Sequence, residues 1–230
     1  MDGFKPNKTF SSIDSGGRYA YDHQPMIGQW NLTRFAETLL KLIDKDQTNS
    51  IEIAKRSLEH FWRHFEKAFQ NGLCKKIGVT GLDQEGTKLA FAFLDLLSKS
   101  EVDFTTAYRT LGDHLEQGNN KNFIKLFDDT AAIEKWLTRW NKNLSNDGKG
   151  IEEVRKQMKM VNPAFIQRNN QIEKAIDLAT NTEDFSLMED LITVLNSTFE
   201  STDTSSELSQ PQTKEEKVIQ TFCGPTTHFD

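Results

Sequence analysis

The chain has 230 residues and a mass of 26.3 kDa, with 36% apolar and 27% charged residues, which suits one domain or one domain with a tail. Its formal net charge of −6 argues against nucleic acid as the main partner; positions 180–230 hold ten acids and two bases, net −8, so positions 1–179 carry +2. Cys74 and Cys223 are too few for a disulfide framework, no apolar run reaches the ~20 residues that span a bilayer, and the opening MDGFKPNKTF has no hydrophobic signal region, so the expected setting is soluble, reducing and cytoplasmic, with no membrane partner.

Residues 1–23 mix Gly, Pro, Ser and Asp without an apolar period and read as a loop. Pro25 suits the first turn of a helix, where a missing N–H costs nothing. Ile27, Trp30, Phe35, Leu39 and Leu42 then recur at roughly helical spacing, predicting a helix to about Lys45 that buries one stripe. In the polar break at 44–50, Asp44, Asp46 and Thr48 imitate the start of a calcium loop. Asn49 stands where glycine makes the turn and Lys55 where a bidentate carboxylate belongs, so no calcium site is expected. A second helix spans 51–69, with Ile51, Ala54, Leu58, Phe61 or Trp62, Phe65 and Phe69 on its stripe. His60 and His64 share a face at zinc-binding spacing, but Phe61 occupies the glutamate position of HExxH. Two polar-face histidines are therefore the preferred reading.

Residues 75–82, KKIGVTGL, form a Gly-punctuated loop without the GxxxxGK[ST] of a phosphate cradle. Asp83 suits the cap of a helix with Leu89, Phe93, Leu96 and Leu97 facing in. Asp103 starts another helix through Ala107, Tyr108 and Leu111, a polar break covers 118–122, and 123–127 make a short amphipathic piece. Over 131–144, Ile133, Trp136, Leu137, Trp140 and Leu144 repeat at three and four. Core packing is preferred for the two tryptophans over an aromatic binding groove. A charged helix follows at 151–160, then a kink or restart at Asn162-Pro163, because the residue before proline avoids the helical region. Two more helices are predicted at 170–179 and 186–195. From 196 onward the Ser/Thr/acid-rich composition predicts disorder. No strand reads convincingly. The expected class is all-α, with a loop over 1–23, a helical bundle over 24–196 and an acidic tail over 197–230.

A helix needs only its stripe, and the order of residues from Gly17 is more particular than that. Gly17-Arg18-Tyr19-Ala20-Tyr21, Gln24-Pro25, Ile27, Trp30-Asn31-Leu32, Arg34 and Ala36-Glu37 resemble the GRYAYxxQPxIxxWNLxRxAE segment of the selenoprotein O family. Asn162-Pro163, Ile166, Arg168-Asn169 and Ala175-Ile176 resemble that family's NPxxxxRNxxxxxAI element, in the right order and at about the right separation. The resemblance covers roughly residues 1–195 and the C-terminal part of a family member. It implies the C-lobe and C-terminal helices of a kinase-like fold, in a protein that transfers AMP from ATP to protein hydroxyls with magnesium. It places residues 1–23 just after the metal-binding Asp-Tyr-Gly. By the same resemblance the metal-binding Asp, the Gly-rich loop and the nucleotide-anchoring Lys belong upstream of these residues, so no cofactor is expected in this chain itself. Phe10 takes the place of a cysteine common in this loop, so Cys223 has no loop partner for a disulfide.

The resemblance makes Arg18, Tyr19, Tyr21 and Gln24 the active-site-loop candidates. Arg18 either meets an acidic partner or anionic substrate, or serves with the tyrosines to pin the loop to the first helix. Trp30, Asn31, Asn162, Pro163, Arg168 and Asn169 are read as structural members of the two motifs. The partners implied are protein substrates and a separately encoded N-terminal half. The other reading is a helical protein-interaction module, or a truncated remnant, without catalytic activity. No GxSxG, recognisable Cys–His pair or zinc cluster supports another enzyme class.

Overall fold

A computed structural model describes residues 2–80, 84–117, 121–146, 148–200, 208–213, 216 and 218. Among them are nine α-helices and no named strand: α1 (Gln24–Ile43), α2 (Gln47–Lys76), α3 (Gln84–Lys99), α4 (Phe104–Gln117), α5 (Lys121–Ile124), α6 (Thr130–Asn146), α7 (Ile151–Val161), α8 (Asn169–Thr182) and α9 (Ser186–Leu195). The fold class is all-α. The described residues divide into two compact units, a larger one from 2–5 with those of 71–218, and a smaller one of 6–70. Asp83, expected to cap α3, Cys223 and most of the acidic tail lie outside the described residues.

The larger unit owns an aromatic core. The α6 spacing buries Ile133, Trp136, Leu137, Trp140 and Leu144 together. Trp136 stacks on Phe93 of α3 with ring centres 4.7 Å apart, and Phe93 meets Tyr108 of α4 edge-on at 5.1 Å. Both indole N–H groups donate to backbone carbonyls, Trp136 to Leu89 at 3.0 Å and Trp140 to Ile77 at 2.7 Å. The stretch read as a plain loop at 75–82 is thus partly core: α2 runs on to Lys76, and Ile77, Gly78 and Val79 are buried. Gly78 turns the chain at φ +73°, and a Cβ there would sit 2.5 Å from Val154 Cγ1, so α7 packs where only glycine fits. A second apolar cluster joins Phe165, Ala175, Leu191 and Val194, with Leu187 and Leu208 against it.

The smaller unit is built differently. α1 and the first part of α2 meet where Gly28 faces Phe61, at a spacing that would put a Cβ 3.6 Å from the ring, and through a Trp62 Nε1 donation to Gln29 at 2.8 Å. Phe61, Phe65 and Phe69 stack one turn apart along α2. The expectation that α1 buries its stripe is corrected: α1 has no buried residue, and Trp30, Phe35 and Leu42 are 48%, 60% and 82% exposed. The helix has the right period, but among the described residues Phe35 and Leu42 are left largely exposed. Asp44, the false start of a calcium loop, instead accepts the Asp46 N–H at 2.8 Å and the Asn49 amide, ordering the turn into α2.

Candidate functional site

The loop before α1 is held by its own residues. Asp14 accepts the backbone N–H groups of Arg18 at 2.7 Å and Tyr19 at 2.9 Å, so the carboxylate forms a small nest at the head of the motif. Gly17 supplies φ +65°, and its carbonyl pairs with His23 Nδ1 at 2.7 Å. Gln24 donates to the Tyr19 carbonyl at 2.6 Å, closing the loop onto the first turn of α1. Tyr21 N–H and Asp22 N–H reach back to the Lys8 and Pro6 carbonyls. Burial raises the Tyr21 hydroxyl above its ordinary pKa. The Arg18 guanidinium lies over the Trp30 ring, 4.6 Å from its centre, and that of Arg34 lies 5.7 Å from the same centre. Of the loop candidates, Arg18 and Gln24 therefore tie the loop to α1, while Tyr19 and Arg18 keep exposed side chains. Asn31 is exposed on α1.

The second motif makes two buried clamps in the larger unit. Asn162, 1% exposed, ends α7 in extended conformation. Its amide donates to the Lys76 carbonyl at 2.8 Å, while Lys76 Nζ donates to Asn162 Oδ1 and to the Val161 carbonyl, each at 3.2 Å. Arg109 donates to the Asn162 carbonyl at 3.1 Å. The polar residue beside Pro163 thus ties the restart of the chain to the end of α2. Burial holds the Lys76 ammonium below its ordinary pKa.

The other clamp centres on Arg168, which is 3% exposed and immediately precedes Asn169, the first residue of α8. One nitrogen of its guanidinium donates to Asp2 Oδ1 at 2.8 Å and to Asp103 Oδ2 at 2.5 Å. The other donates to Asp103 Oδ1 at 3.3 Å and to the Ser209 carbonyl at 3.1 Å. Asp103 also caps α4, accepting the Thr106 N–H at 2.7 Å. Burial disfavours the Asp103 carboxylate, but Arg168 and that N–H more than offset it and hold its pKa below the ordinary value. Nothing in the sequence announced the partnership of Asp2, Asp103 and Arg168. Asp103 was legible only as a helix start, and the three are 65 and 166 positions apart.

No three His, Cys, Asp or Glu side chains among the described residues gather closely enough to hold a metal ion. The carboxylates best placed in the larger unit, Asp2 and Asp103, are already engaged by a guanidinium. His60 and His64 are exposed, with the His64 Nδ1 engaged by the His60 carbonyl at 2.7 Å. Among the described residues no helix is long and apolar enough to cross a membrane.

Loop and clamps together define a helical scaffold whose motif residues hold backbone segments in place. The family model "Protein adenylyltransferase SelO" matches residues 1–196, and the chain belongs to that family, corresponding to a C-terminal part of it. It is 38% identical over 224 residues to a protein nucleotidyltransferase YdiU of Bradyrhizobium sp. (strain BTAi1 / ATCC BAA-1182), covering 97% of this chain and 46% of that protein. It is 37% identical over 225 residues to a protein of the same name from Rhodopseudomonas palustris (strain HaA2), with the same coverage. The chain thus spans about half the length of the curated relatives it matches.

Proposed function

We propose that these residues are the helical C-terminal portion of a protein adenylyltransferase that moves AMP from ATP to Ser, Thr or Tyr hydroxyls of proteins. The observation that carries this is the family match over 1–196 combined with two motifs whose residues act as clamps. On this reading ATP and magnesium are held by a kinase-like N-terminal half, and the chain alone is inactive. The exposed Trp30, Phe35 and Leu42 of α1 support a covering partner, for which a separately encoded N-terminal half is the first choice. The loop of Arg18, Tyr19, Tyr21 and Gln24 then faces the site as a wall of it. Incubation of the purified chain with magnesium and labelled ATP is expected to give no self-labelling and no transfer to a protein mixture. Label incorporated by the chain alone would refute the inactivity.

The same exposed face supports a second reading, a helical interaction module without catalysis. An adjacent reading frame encoding a Gly-rich loop, an anchoring Lys and Asp-Tyr-Gly, whose product restores AMP transfer when mixed with this chain, decides for the enzyme. A product that binds without restoring transfer decides for the module.

A further inference from the structure

We propose that residues 208–212 are a strap, a short peptide of the acidic tail seated in a groove of the helical body, which holds residues 2–4 against the start of α4. Three contacts of different chemistry seat it. Leu208 packs on the cluster of Phe165, Ala175, Leu191 and Val194. The Ser209 carbonyl accepts from Arg168 at 3.1 Å. The Gln212 amide donates to Asp2 Oδ2 at 2.8 Å. Pro211 between them has a fixed φ and no N–H to satisfy, which lowers the entropic cost of holding the segment in place. Directly after it, the Thr213 N–H donates to Glu216 at 2.9 Å and the Glu216 N–H to the Thr213 hydroxyl at 3.3 Å, a reciprocal pair.

The groove serves a purpose beyond the tail. Asp2 carries one oxygen to Arg168 and the other to Gln212, so the strap completes the coordination of the residue that fixes the N-terminal segment. That segment is also held by two backbone hydrogen bonds, Phe4 N–H to the Val102 carbonyl at 3.0 Å and Phe104 N–H to the Asp2 carbonyl at 3.3 Å, and by the buried Phe4 ring, 5.6 Å from that of Phe104. The approach is close: a Cβ on Gly3 would lie 2.6 Å from the Glu101 carbonyl oxygen. Lifting the strap removes one partner from Asp2 and one acceptor from Arg168, and the short pairing frays. Any consequence for AMP transfer rests on the function proposed above, in which residues 2–4 lead out of the metal-binding segment; the docking itself does not.

Amide hydrogen exchange on the whole chain tests the strap without any activity. In Leu208→Asp, and in a chain ending at Glu200, the Phe4 and Phe104 amides should exchange about tenfold faster, and in Gln212→Ala about threefold faster, while Trp136 and its α6 neighbours keep their protection. Unchanged exchange at Phe4 and Phe104 in the shortened chain would overturn the proposal. Equal acceleration of α6 in all three variants would overturn it too, because the tail would then be an inseparable part of the core. Faster exchange at Phe4 and Phe104 in the variants, with AMP transfer by a reconstituted enzyme unaltered, would uphold the strap and count only against its link to the function.

Discussion

Replacing Arg168 with leucine should be among the most damaging single changes in the larger unit. The side chain is 2% exposed and is the only cation within salt-bridge reach of Asp103, itself 8% exposed, among the described residues. Removing one partner of a buried ion pair costs about 3–5 kcal/mol, because the remaining charge is stranded. Asp103 keeps the Thr106 N–H and Asp2 keeps Gln212 and some solvent, which places the expected loss near the lower end, about 3 kcal/mol. Urea unfolding followed by fluorescence, in a background carrying Trp30→Phe and Trp62→Phe, reads it, since Trp136 and Trp140 then report on their own unit alone. The pH dependence has a definite sign. In the parent, the Asp103 pKa lies below its unfolded value, so its stabilisation is present above about pH 4 and is lost as the pH falls through the folded value. Without Arg168, burial dominates and the carboxylate prefers to be protonated. The deficit should therefore be largest at pH 7 and shrink toward pH 4, and adding Asp103→Asn should recover part of it. A loss below about 1 kcal/mol at pH 7, or one that ignores pH, would refute this account of the cluster.

Gly78→Ala should cost about 2–4 kcal/mol in the same urea assay, since the added methyl meets Val154 at 2.5 Å and Met158 Sδ at 2.9 Å on a backbone with φ +73°. Arg18→Ala should change stability by less than about 1 kcal/mol, because its stacking on Trp30 is exposed, yet it should shift the emission of Trp30 measured with the other three tryptophans replaced by phenylalanine. Burial holds the His114 imidazole below its ordinary pKa, so the unfolded chain binds the proton more readily. Its contribution is full above about pH 6.5 and is lost as the pH falls through the folded value, and His114→Gln should flatten that part of a stability-against-pH curve.

Helix identity was legible because it depends on local period. The α6 repeat of apolar residues at three and four named its buried face correctly, tryptophans included, and α9 was read with its bounds at Ser186 and Leu195. The length of α2 was not, because the stripe from Ile51 to Phe69 ends before the helix does; the last turns are set by Leu73 and Cys74 entering the core beside Ile77. The motif residues were legible as a pattern and not as contacts. Asn162 and Arg168 stood out in the sequence, but their partners Lys76, Asp2 and Asp103 are ordinary residues at distances no periodicity reaches. Side-chain clamps between remote segments are a property of the assembled fold, and a single sequence carries only one end of each.

The α1 face shows the same limit from the other side. A helical period says that an apolar stripe wants cover, and it is silent on what supplies the cover. Within its unit, α1 meets α2 through Gly28 and Gln29, a contact one side of the helix wide. Trp30 is left to two arginines, and Phe35 and Leu42 to solvent. Exposed rings that carry guanidinium groups are more tolerable to water than bare ones, which would suit a face that is to be covered by another polypeptide. On the proposed function that polypeptide is the kinase-like half. Covering the face should then quench exchange of α1 and leave α6 untouched, whereas self-association of the chain through α1 would make a second copy the natural occupant.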